Sequence, residues 1–265
     1  MLIQVPSVPS DYWRWFPPTS TLPLDKDKRA TALQEAFEAY STEAVLTVDE
    51  HDSENPRKPL PLYGQMAYLR VAIWAFMRYR RLYWCKGRKV AATVLLTEIL
   101  TWINHYRSHR LWGWVTQDKK DGSDLVERYV KHGYVESHPK WLKARYIYGQ
   151  SKGDLVIARR NGWGSRSERV EEQVWDSELR SYPAGADQLR QFPHSGVVID
   201  EGHVIPDLPG LIQGTTPGLR AAEGLEGGKL VIVFVARKGA YVEYLAGPHC
   251  REAIKLAKER LSPAA

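Results

Sequence analysis

Short apolar runs alternate with segments of helical periodicity along this chain. Unbroken apolar runs, typical of strands buried on both faces of a sheet, occur at Arg81–Cys85, Leu111–Thr116, Leu155–Ala158, Gly196–Ile199 and Lys229–Val235. Apolar residues at helical spacing predict helices at Arg29–Tyr40, Gln65–Tyr79, Val94–Arg110, Asp121–His132 and Arg251–Leu261. Because strands and helices alternate, we predict an α/β protein with a mostly parallel sheet.

The remaining segments carry weaker signals. Residues 1–28 are rich in Pro and Trp and are expected to form an irregular arm. A strand is predicted at Lys143–Tyr148, whereas Ile205–Gly228 is punctuated by Pro and Gly and predicts no more than one helical turn. We therefore divide the chain into an arm with one helix at 1–57 and a larger domain at 58–265.

Composition restricts the class of protein. The 265 residues are 43% hydrophobic and 26% charged, which is ordinary for a globular domain. No apolar run approaches the length of about 18 residues needed to cross a membrane, and the start MLIQVPSVPSDYW lacks the features of a secretory signal. Two cysteines, Cys85 and Cys250, are too few for a zinc site or a disulfide framework. We expect a protein of a reducing cytoplasm with no membrane partner.

The net charge of +6 is unevenly distributed. Residues 78–110 contain eight basic residues and one acidic residue, and residues 140–170 contain eight basic and two acidic residues. Residues 171–243 are acidic, with eleven acidic and six basic residues. Two basic zones beside an acidic one favour a face that binds polyphosphate or nucleic acid. The alternative is that these charges form solvated faces.

The segment Gly196–His203, GVVIDEGH, places two carboxylates, Asp200 and Glu201, directly after a predicted buried strand. The carboxyl ends of parallel strands are where α/β sheets bind ligands. One carboxylate can hold the shell of a Mg²⁺ ion, and the other can orient or deprotonate an attacking water. The pattern predicts a Walker B element; the alternative is a strand that ends in a solvated acidic turn.

A second motif, Lys86–Thr93 (KGRKVAAT), joins a predicted strand to a predicted helix through a basic loop. Backbone N–H groups at such a helix start bind phosphate, Lys86 would add a point charge, and the Thr93 hydroxyl could ligate Mg²⁺. The usual G-x-x-x-x-G-K-[ST] is absent, so a basic turn that caps a helix is an alternative. The position upstream of the acidic strand favours a phosphate-binding loop.

These motifs together resemble the N-terminal ATPase domain of tailed-phage large terminase subunits, which are motors that package DNA. The resemblance covers residues 58–247 and implies a P-loop NTPase fold of the RecA/ASCE-like type. WGWVTQDKKDGSDLV resembles the family's strand and helix after the P-loop helix, and SYPAGADQLR resembles the stretch before Walker B. The order and spacing of five weak motifs is more specific than any single one.

The resemblance implies roles for individual residues, with ATP and Mg²⁺ as ligands. Glu201 would orient the attacking water, and Arg190 would act across a subunit interface as an arginine finger. Thr93 and Asp200 would hold Mg²⁺. Nucleotide contacts would come from Gln65, which would read adenine, and from Lys86, Gly87, Arg88, Lys89, Ala91, Ala92 and Thr93.

The resemblance also implies partners and a location. These are double-stranded DNA, a homo-oligomeric ring assembled on a portal, and a small terminase subunit. The protein would be virus-encoded and located in the host cytoplasm. We expect no nuclease domain, because the residues after the last motif contain no acidic cluster for two metal ions.

The loop and the last strand depart from the family pattern. Lys89 replaces the family's Gln and Ala91 replaces its Gly. Left-handed geometry at Ala would cost about 1–2 kcal/mol, so Ala91 is expected to slow turnover without abolishing nucleotide binding. Residues 236–238 (ARK) stand where a Ser/Thr pair would couple hydrolysis to motion, which indicates an altered coupling position.

Two other functions stay open at this point. The letters DEGH also match a DExH helicase box, but that class needs a second RecA-like domain and a G-K-[ST] loop. The other is a binding module whose degenerate P-loop leaves a DNA- or portal-binding platform with little ATPase activity. These functions are separated by measuring whether the protein hydrolyses ATP with Mg²⁺, and whether DNA and self-association change the rate.

Overall fold

Nine strands form one large and one small sheet in the part of the chain that the structure describes. The computed structural model describes residues 10–48, 54, 57–62, 66–86, 91–107, 109–149, 151, 153–159, 177–185, 189–220 and 228–235. Within them, β1 (Thr47–Val48) pairs with β2 (Arg57–Lys58) in an antiparallel ribbon. The large sheet contains β3 (Arg81–Lys86), β4 (Arg110–Thr116), β5 (Tyr146–Tyr148), β6 (Leu155–Arg159), β7 (Ser177–Pro183), β8 (Gly196–Ile199) and β9 (Lys229–Val235).

The strand order of the large sheet is β3-β9-β8-β4-β7-β6-β5. The first five strands in this order are mutually parallel, whereas β6 is antiparallel to both of its neighbours, β7 and β5. The mostly parallel α/β sheet predicted from the sequence is confirmed. Only β9 separates β3, which precedes the basic loop, from β8, which precedes the paired carboxylates. Their carboxyl ends therefore lie close together on one edge of the sheet.

Helices connect these strands. They are α1 (Lys26–Glu43), α2 (Tyr68–Arg78), α3 (Ala92–Tyr106), α4 (Lys119–Leu125), α5 (Lys140–Lys143) and α6 (Leu208–Arg220). The carboxylate of Asp25 caps α1 by accepting hydrogen bonds from the N–H groups of Asp27 and Lys28. A π-helix over Val126–Val135 continues α4. The first four predicted helices are confirmed, with boundaries that differ by a few residues.

One face of the sheet is covered by α1, α2, α3 and the π-helix. The side chains of α3 are buried nearly all round the helix, which is typical of a helix in a protein interior. Trp112 of β4 is fully buried on this face, and its ring stacks on Phe76 of α2 with centroids 5.9 Å apart. The N-terminal arm packs here too, where Trp15 stacks on Trp141 at 5.4 Å. The arm and α1 share one hydrophobic core with α3. The division of the chain into an arm and a larger domain after residue 57 stays a prediction.

The opposite face is covered by α6 and by residues 184–185 and 189–195, which lie between β7 and β8 in the chain. Leu208, Leu211 and Leu219 of α6 are buried in a cluster with side chains of β4, β8 and β9. The expectation of a single helical turn in Ile205–Gly228 was wrong, since α6 has 13 residues. Burial of its leucines against the sheet outweighs the low helix propensity of its Gly residues and of Pro217.

Two further predictions need correction. The strand predicted at Lys143–Tyr148 is shorter, because α5 ends at Lys143 and β5 begins at Tyr146. The strand β7 was not predicted at all. The helix predicted at Arg251–Leu261 lies outside the described residues. No helix in the described part of the chain is both long and apolar enough to span a membrane.

Candidate functional site

The predicted Walker residues meet at the carboxyl edge of the sheet. Tyr83 of β3 pairs with Ile232 of β9, which in turn pairs with Ile199 of β8. Asp200 follows Ile199 directly, whereas Lys86 lies three residues beyond Tyr83. Since a strand rises about 3.3 Å per residue, β3 carries Lys86 roughly 7 Å further out than Asp200. Asp200 therefore lies next to the end of the sheet, whereas Lys86 lies further out, at the rim of the same edge.

A hydrogen bond joins the two motifs directly. Thr93, in the first turn of α3, donates from Oγ1 to Oδ2 of Asp200 over 2.9 Å. The backbone N–H of Asp200 donates to the carbonyl of Val115 at 2.9 Å, so the pairing of β8 with β4 extends to this residue. The sheet therefore fixes the backbone of Asp200, and α3 fixes its side chain.

The electrostatic environment of Asp200 contains opposing influences. Its side chain is buried, and this burial raises the pKa of its carboxyl group above the usual range. The Thr93 hydroxyl, the charge of Lys86 and the N–H of Glu201 all oppose the shift, whereas the Glu201 charge adds to it. A divalent cation at this position would favour the carboxylate, because an adjacent positive charge stabilises the ionised form.

Glu201 adopts a backbone conformation that is rare for a residue with a side chain. Its φ and ψ are 50° and 43°, in the left-handed region, which costs about 1–2 kcal/mol for an L-residue. Two hydrogen bonds hold the turn: its N–H donates to Oδ1 of Asp200 at 2.9 Å, and its carbonyl accepts from the N–H of Val204. The Glu201 side chain is exposed. Strained residues of this kind cluster at functional sites.

Gly202, which the sequence analysis overlooked, lets this turn lie close to the sheet. A Cβ at this position would lie 2.8 Å from Cγ2 of Ile232 and 3.2 Å from the ring of Phe234. Only glycine lets the backbone after Glu201 approach β9 so closely. The glycine directly after DE in the sequence was the available signal.

The backbone of Ala91 does not lie in the left-handed region expected from the family comparison. It precedes α3 with φ 15° and ψ 19°, outside the left-handed region, and its side chain packs against the core around α3. The expected effect of Ala91 on turnover stays a prediction. Ala92, the next residue, is fully buried as the first residue of α3.

Arg190 lies apart from the other site residues in the chain, on the segment between β7 and β8. Its side chain is exposed, although Leu189 before it is fully buried. An exposed arginine on an ordered segment has the placement that a contact with a neighbouring molecule requires. Its role across an interface stays a prediction.

Several predicted site residues lie outside the described residues. These are Gln65, Gly87, Arg88 and Lys89, together with the altered coupling position at 236–238.

Some of the described Lys and Arg side chains in the two basic zones form contacts within the molecule. Arg78 forms an ion pair with Asp27, and the guanidinium of Arg145 lies 4.6 Å from the centroid of the Tyr12 ring. Lys140, at the start of α5, is exposed. The charge available to a polyanion is therefore smaller than the sequence totals suggest.

The donor atoms at Asp200 and Thr93 fit a magnesium ion. Both side chains supply hard oxygen atoms, and Mg²⁺ is usually held by one or two such groups, with waters and substrate phosphates completing the shell. No group of three or more His, Cys, Asp or Glu side chains capable of holding a metal occurs among the described residues. The pair thus suits a cation that arrives with a phosphate ligand.

Comparison with solved structures identifies the fold. The crystal structure of the HK97 bacteriophage large terminase matches this chain with a TM-score of 0.56 at 15% sequence identity, over 84% of this chain and 41% of that one. The chain shares its fold with the matched part of this large terminase. The predicted P-loop NTPase fold class and the resemblance to large terminases are confirmed at this level. The chain spans 41% of the length of the HK97 protein.

More distant structures include two other phage terminases. The large terminase ATPase domain of Thermus phage P74-26 matches with a TM-score of 0.48 at 16% identity, over 63% of each chain. The large terminase of another thermophilic bacteriophage, in complex with ADP, matches with a TM-score of 0.40 at 12% identity, over 66% of this chain and 39% of that one. Both are too distant to add evidence. No protein-family model matches the sequence, and no curated protein matches it significantly.

Proposed function

We propose that this chain is the ATP-hydrolysing motor domain of a viral DNA-packaging terminase, which moves double-stranded DNA into a procapsid. The hydrogen bond between Thr93 and Asp200 carries the proposal. It joins the helix after the basic loop to the strand before the carboxylates, at the edge where parallel sheets bind ligands. The fold shared with the HK97 large terminase supports the same proposal.

In this proposal the chain binds and orients ATP, with little covalent chemistry of its own. Lys86, at the rim of the edge, holds the β- and γ-phosphates. The loop residues 87–92 contribute backbone N–H groups at the start of α3, and Gln65 contacts the adenine. The Glu201 carboxylate orients the attacking water. Arg190 of a neighbouring subunit neutralises the charge that develops on the transferred phosphoryl group.

Thr93 and Asp200 would hold Mg²⁺ through their side-chain oxygens. When bound, the ion neutralises phosphate charge and favours phosphoryl transfer. The hydroxyl of Thr93 already orients Asp200 Oδ2, so the two oxygen donors are arranged by the fold before any ligand arrives.

We also propose the partners that this function requires. They are double-stranded DNA, further copies of the chain in a ring, a portal and a small terminase subunit, in the host cytoplasm. The basic zones support the contact with DNA, because exposed cations such as Lys140 attract phosphates without reading sequence. The exposure of Arg190 supports assembly, since a finger supplied by a neighbour must be reachable from outside.

Equilibrium binding of ATP with Mg²⁺ or with EDTA tests the central pair. Wild-type protein should bind ATP more tightly with Mg²⁺, and Asp200→Asn should remove that difference because an amide cannot replace the anionic ligand. Asp124→Asn, at an exposed position on α4, is the matched control and should behave as wild type. Equal Mg²⁺ dependence in wild type and Asp200→Asn would contradict the assignment.

Assembly is tested by the rate of hydrolysis as a function of protein concentration. Turnover per subunit should rise steeply with concentration, and Arg190→Ala should abolish the rise while nucleotide binding is retained. If the wild type hydrolyses no ATP at any concentration yet binds DNA, the better interpretation is a degenerate P-loop module that serves as a DNA- or portal-binding platform.

A further inference from the structure

The segment that carries Arg190 is anchored by the residues around it. Residues 189–195 precede β8 directly, and their side-chain contacts with the rest of the protein include those of Leu189, Phe192 and His194. Leu189 and His194 are buried, with 0% and 1% of their surface exposed. Arg190 itself is exposed. An exposed arginine is therefore held between anchored neighbours.

Two side chains of β7 make the polar contacts to this segment. The guanidinium of Arg180 lies 5.1 Å from the centroid of the Phe192 ring, within the range of a cation–π contact. The hydroxyl of Tyr182 lies 3.1 Å from Nε2 of His194. Arg180 and Tyr182 are two positions apart on one strand, so both project from the same face of the sheet.

The His194 ring bridges Tyr182 to the backbone of the segment. Burial lowers the pKa of His194 to about 4, so the ring is neutral near pH 7 and has one donor and one acceptor nitrogen. The carbonyl of Phe192, which can only accept, is hydrogen-bonded to the ring. The Tyr182 hydroxyl and Nε2 of His194 share a hydrogen bond of 3.1 Å. This contact makes Tyr182 the side chain that fixes the ring.

Two glycines allow the segment to lie close to its support. A Cβ on Gly113 of β4 would lie 3.3 Å from the ring of His194 and 3.4 Å from both Leu189 and Tyr182. A Cβ on Gly218 of α6 would lie 3.3 Å from the carbonyl of Phe192. The segment is therefore packed closely between β4 and α6.

We propose that Tyr182 and Arg180 are positioning residues for Arg190. Through His194 and Phe192 they hold residues 189–195 in one conformation, so that the Arg190 guanidinium is presented to the nucleotide of the neighbouring subunit. This inference rests on the proposed role of Arg190 as a finger supplied across the interface. Such a group acts only when it is held close to its productive geometry, which requires support from surrounding side chains.

A mixing experiment isolates the subunit that donates the finger. An Arg190→Ala subunit retains its own site but lacks the finger, and a Glu201→Gln subunit retains the finger but has an inactive site. Mixing the two should restore ATP hydrolysis at their shared interfaces. Adding Tyr182→Phe to the Glu201→Gln subunit then tests the donor alone, because that subunit's own site is already inactive.

The matched control is Tyr148→Phe in the same Glu201→Gln subunit. Tyr148 makes the same kind of contact, with its hydroxyl 3.0 Å from Nε2 of His105, but on the opposite face of the sheet from residues 189–195. We expect Tyr182→Phe to lower the restored rate about three- to tenfold, the effect of losing one buried hydrogen bond, and Tyr148→Phe to leave it unchanged. Sedimentation of each mixture should show the same association.

Each outcome decides a different point. No restored activity with either donor, in mixtures that still associate, would overturn the finger role and the positioning role together. Full restoration by the Tyr182→Phe donor would overturn the positioning role alone. An equal loss with Tyr182→Phe and Tyr148→Phe would also overturn it, because the effect would then be general.

A second measurement compares the rate of ATP hydrolysis of Arg190→Ala with that of the Arg190→Ala, Tyr182→Phe double variant. Tyr182→Phe should not lower the rate further in this background.

Discussion

Thr93 and Asp200 are 107 positions apart in the chain, yet their side chains share a hydrogen bond of 2.9 Å. One is in the first turn of the helix after β3, and the other directly follows β8. The contact requires the parallel pairing of β3, β9 and β8, which brings the carboxyl ends of these strands to one edge. It links the fold to the proposed chemistry.

Removal of the Lys86 amine should weaken ATP binding. Lys86→Ala deletes the charge that the start of the loop offers to the terminal phosphates, and we expect at least a tenfold rise in the Kd for Mg²⁺–ATP, about 1.4 kcal/mol. Titration with a fluorescent ATP analogue measures it. Lys28→Ala, an exposed cation on α1, is the control and should leave the Kd unchanged. An unchanged Kd for Lys86→Ala would exclude this loop from the site.

Conservative changes at Thr93 should separate its hydroxyl from its shape. Thr93→Ser keeps the donor to Asp200, whereas Thr93→Val keeps the volume and loses it. We expect Ser to retain Mg²⁺-dependent ATP binding and Val to lose most of it. Calorimetric titration with and without Mg²⁺ compares the two. Equal binding by both variants would show that the hydroxyl contributes nothing to the site.

Stability should depend on pH through Glu98 of α3. This side chain is fully buried, and burial raises its pKa from 4.5 to about 8, although the Ser41 hydroxyl opposes the shift. The folded protein therefore binds this proton more tightly than the unfolded chain. The contribution is fully present below pH 4.5 and is lost as the pH rises towards 8, at up to about 1.4 kcal/mol per pH unit.

Denaturant unfolding at several pH values tests the direction of this pH dependence. Glu98→Gln removes the ionisation, so its free energy of unfolding relative to wild type should increase between pH 5 and pH 8 by a few kcal/mol. Glu35→Gln, at an exposed position on α1, should follow the wild-type pH dependence. Parallel curves for wild type and Glu98→Gln would show that the fold does not raise the pKa of Glu98.

DNA binding should be governed by phosphates. Affinity for duplex DNA should fall steeply with salt and show little sequence preference, and Lys140→Ala should reduce the slope of log K against log salt by about 0.9 if Lys140 contacts one phosphate. Lys28→Ala is again the control. Binding that does not depend on salt would point to a protein partner for the basic faces.

The strands β4, β8 and β9 could be predicted because they are largely buried on both faces of the sheet. The runs in β4, β8 and β9 are apolar without alternation, and the carboxylates and the loop lie at the ends of such strands. The strand β7 was not predicted because Glu178 and Arg180 alternate with its buried residues. In the structure these two side chains pair with each other, and Arg180 also covers Phe192. Pairing of this kind is not visible in a linear sequence.

The geometry of the carboxylate turn and of α6 could not be predicted either. The left-handed backbone of Glu201 depends on the approach of Gly202 to Ile232, which only the folded sheet creates. The Gly- and Pro-containing segment of α6 becomes helical because its leucines are buried against β4, β8 and β9. In both cases tertiary contacts outweigh local preference.

The rate of phosphate release from ATP is the most direct test of the proposed function. It is measured with Mg²⁺ and with EDTA, at protein concentrations high enough for assembly, for wild type and Glu201→Gln. We predict hydrolysis by the wild type that requires Mg²⁺, and a large loss in Glu201→Gln with ATP binding retained, because only the group that orients the water is removed. A wild type that releases no phosphate, or a Glu201→Gln variant as fast as wild type, would contradict the account.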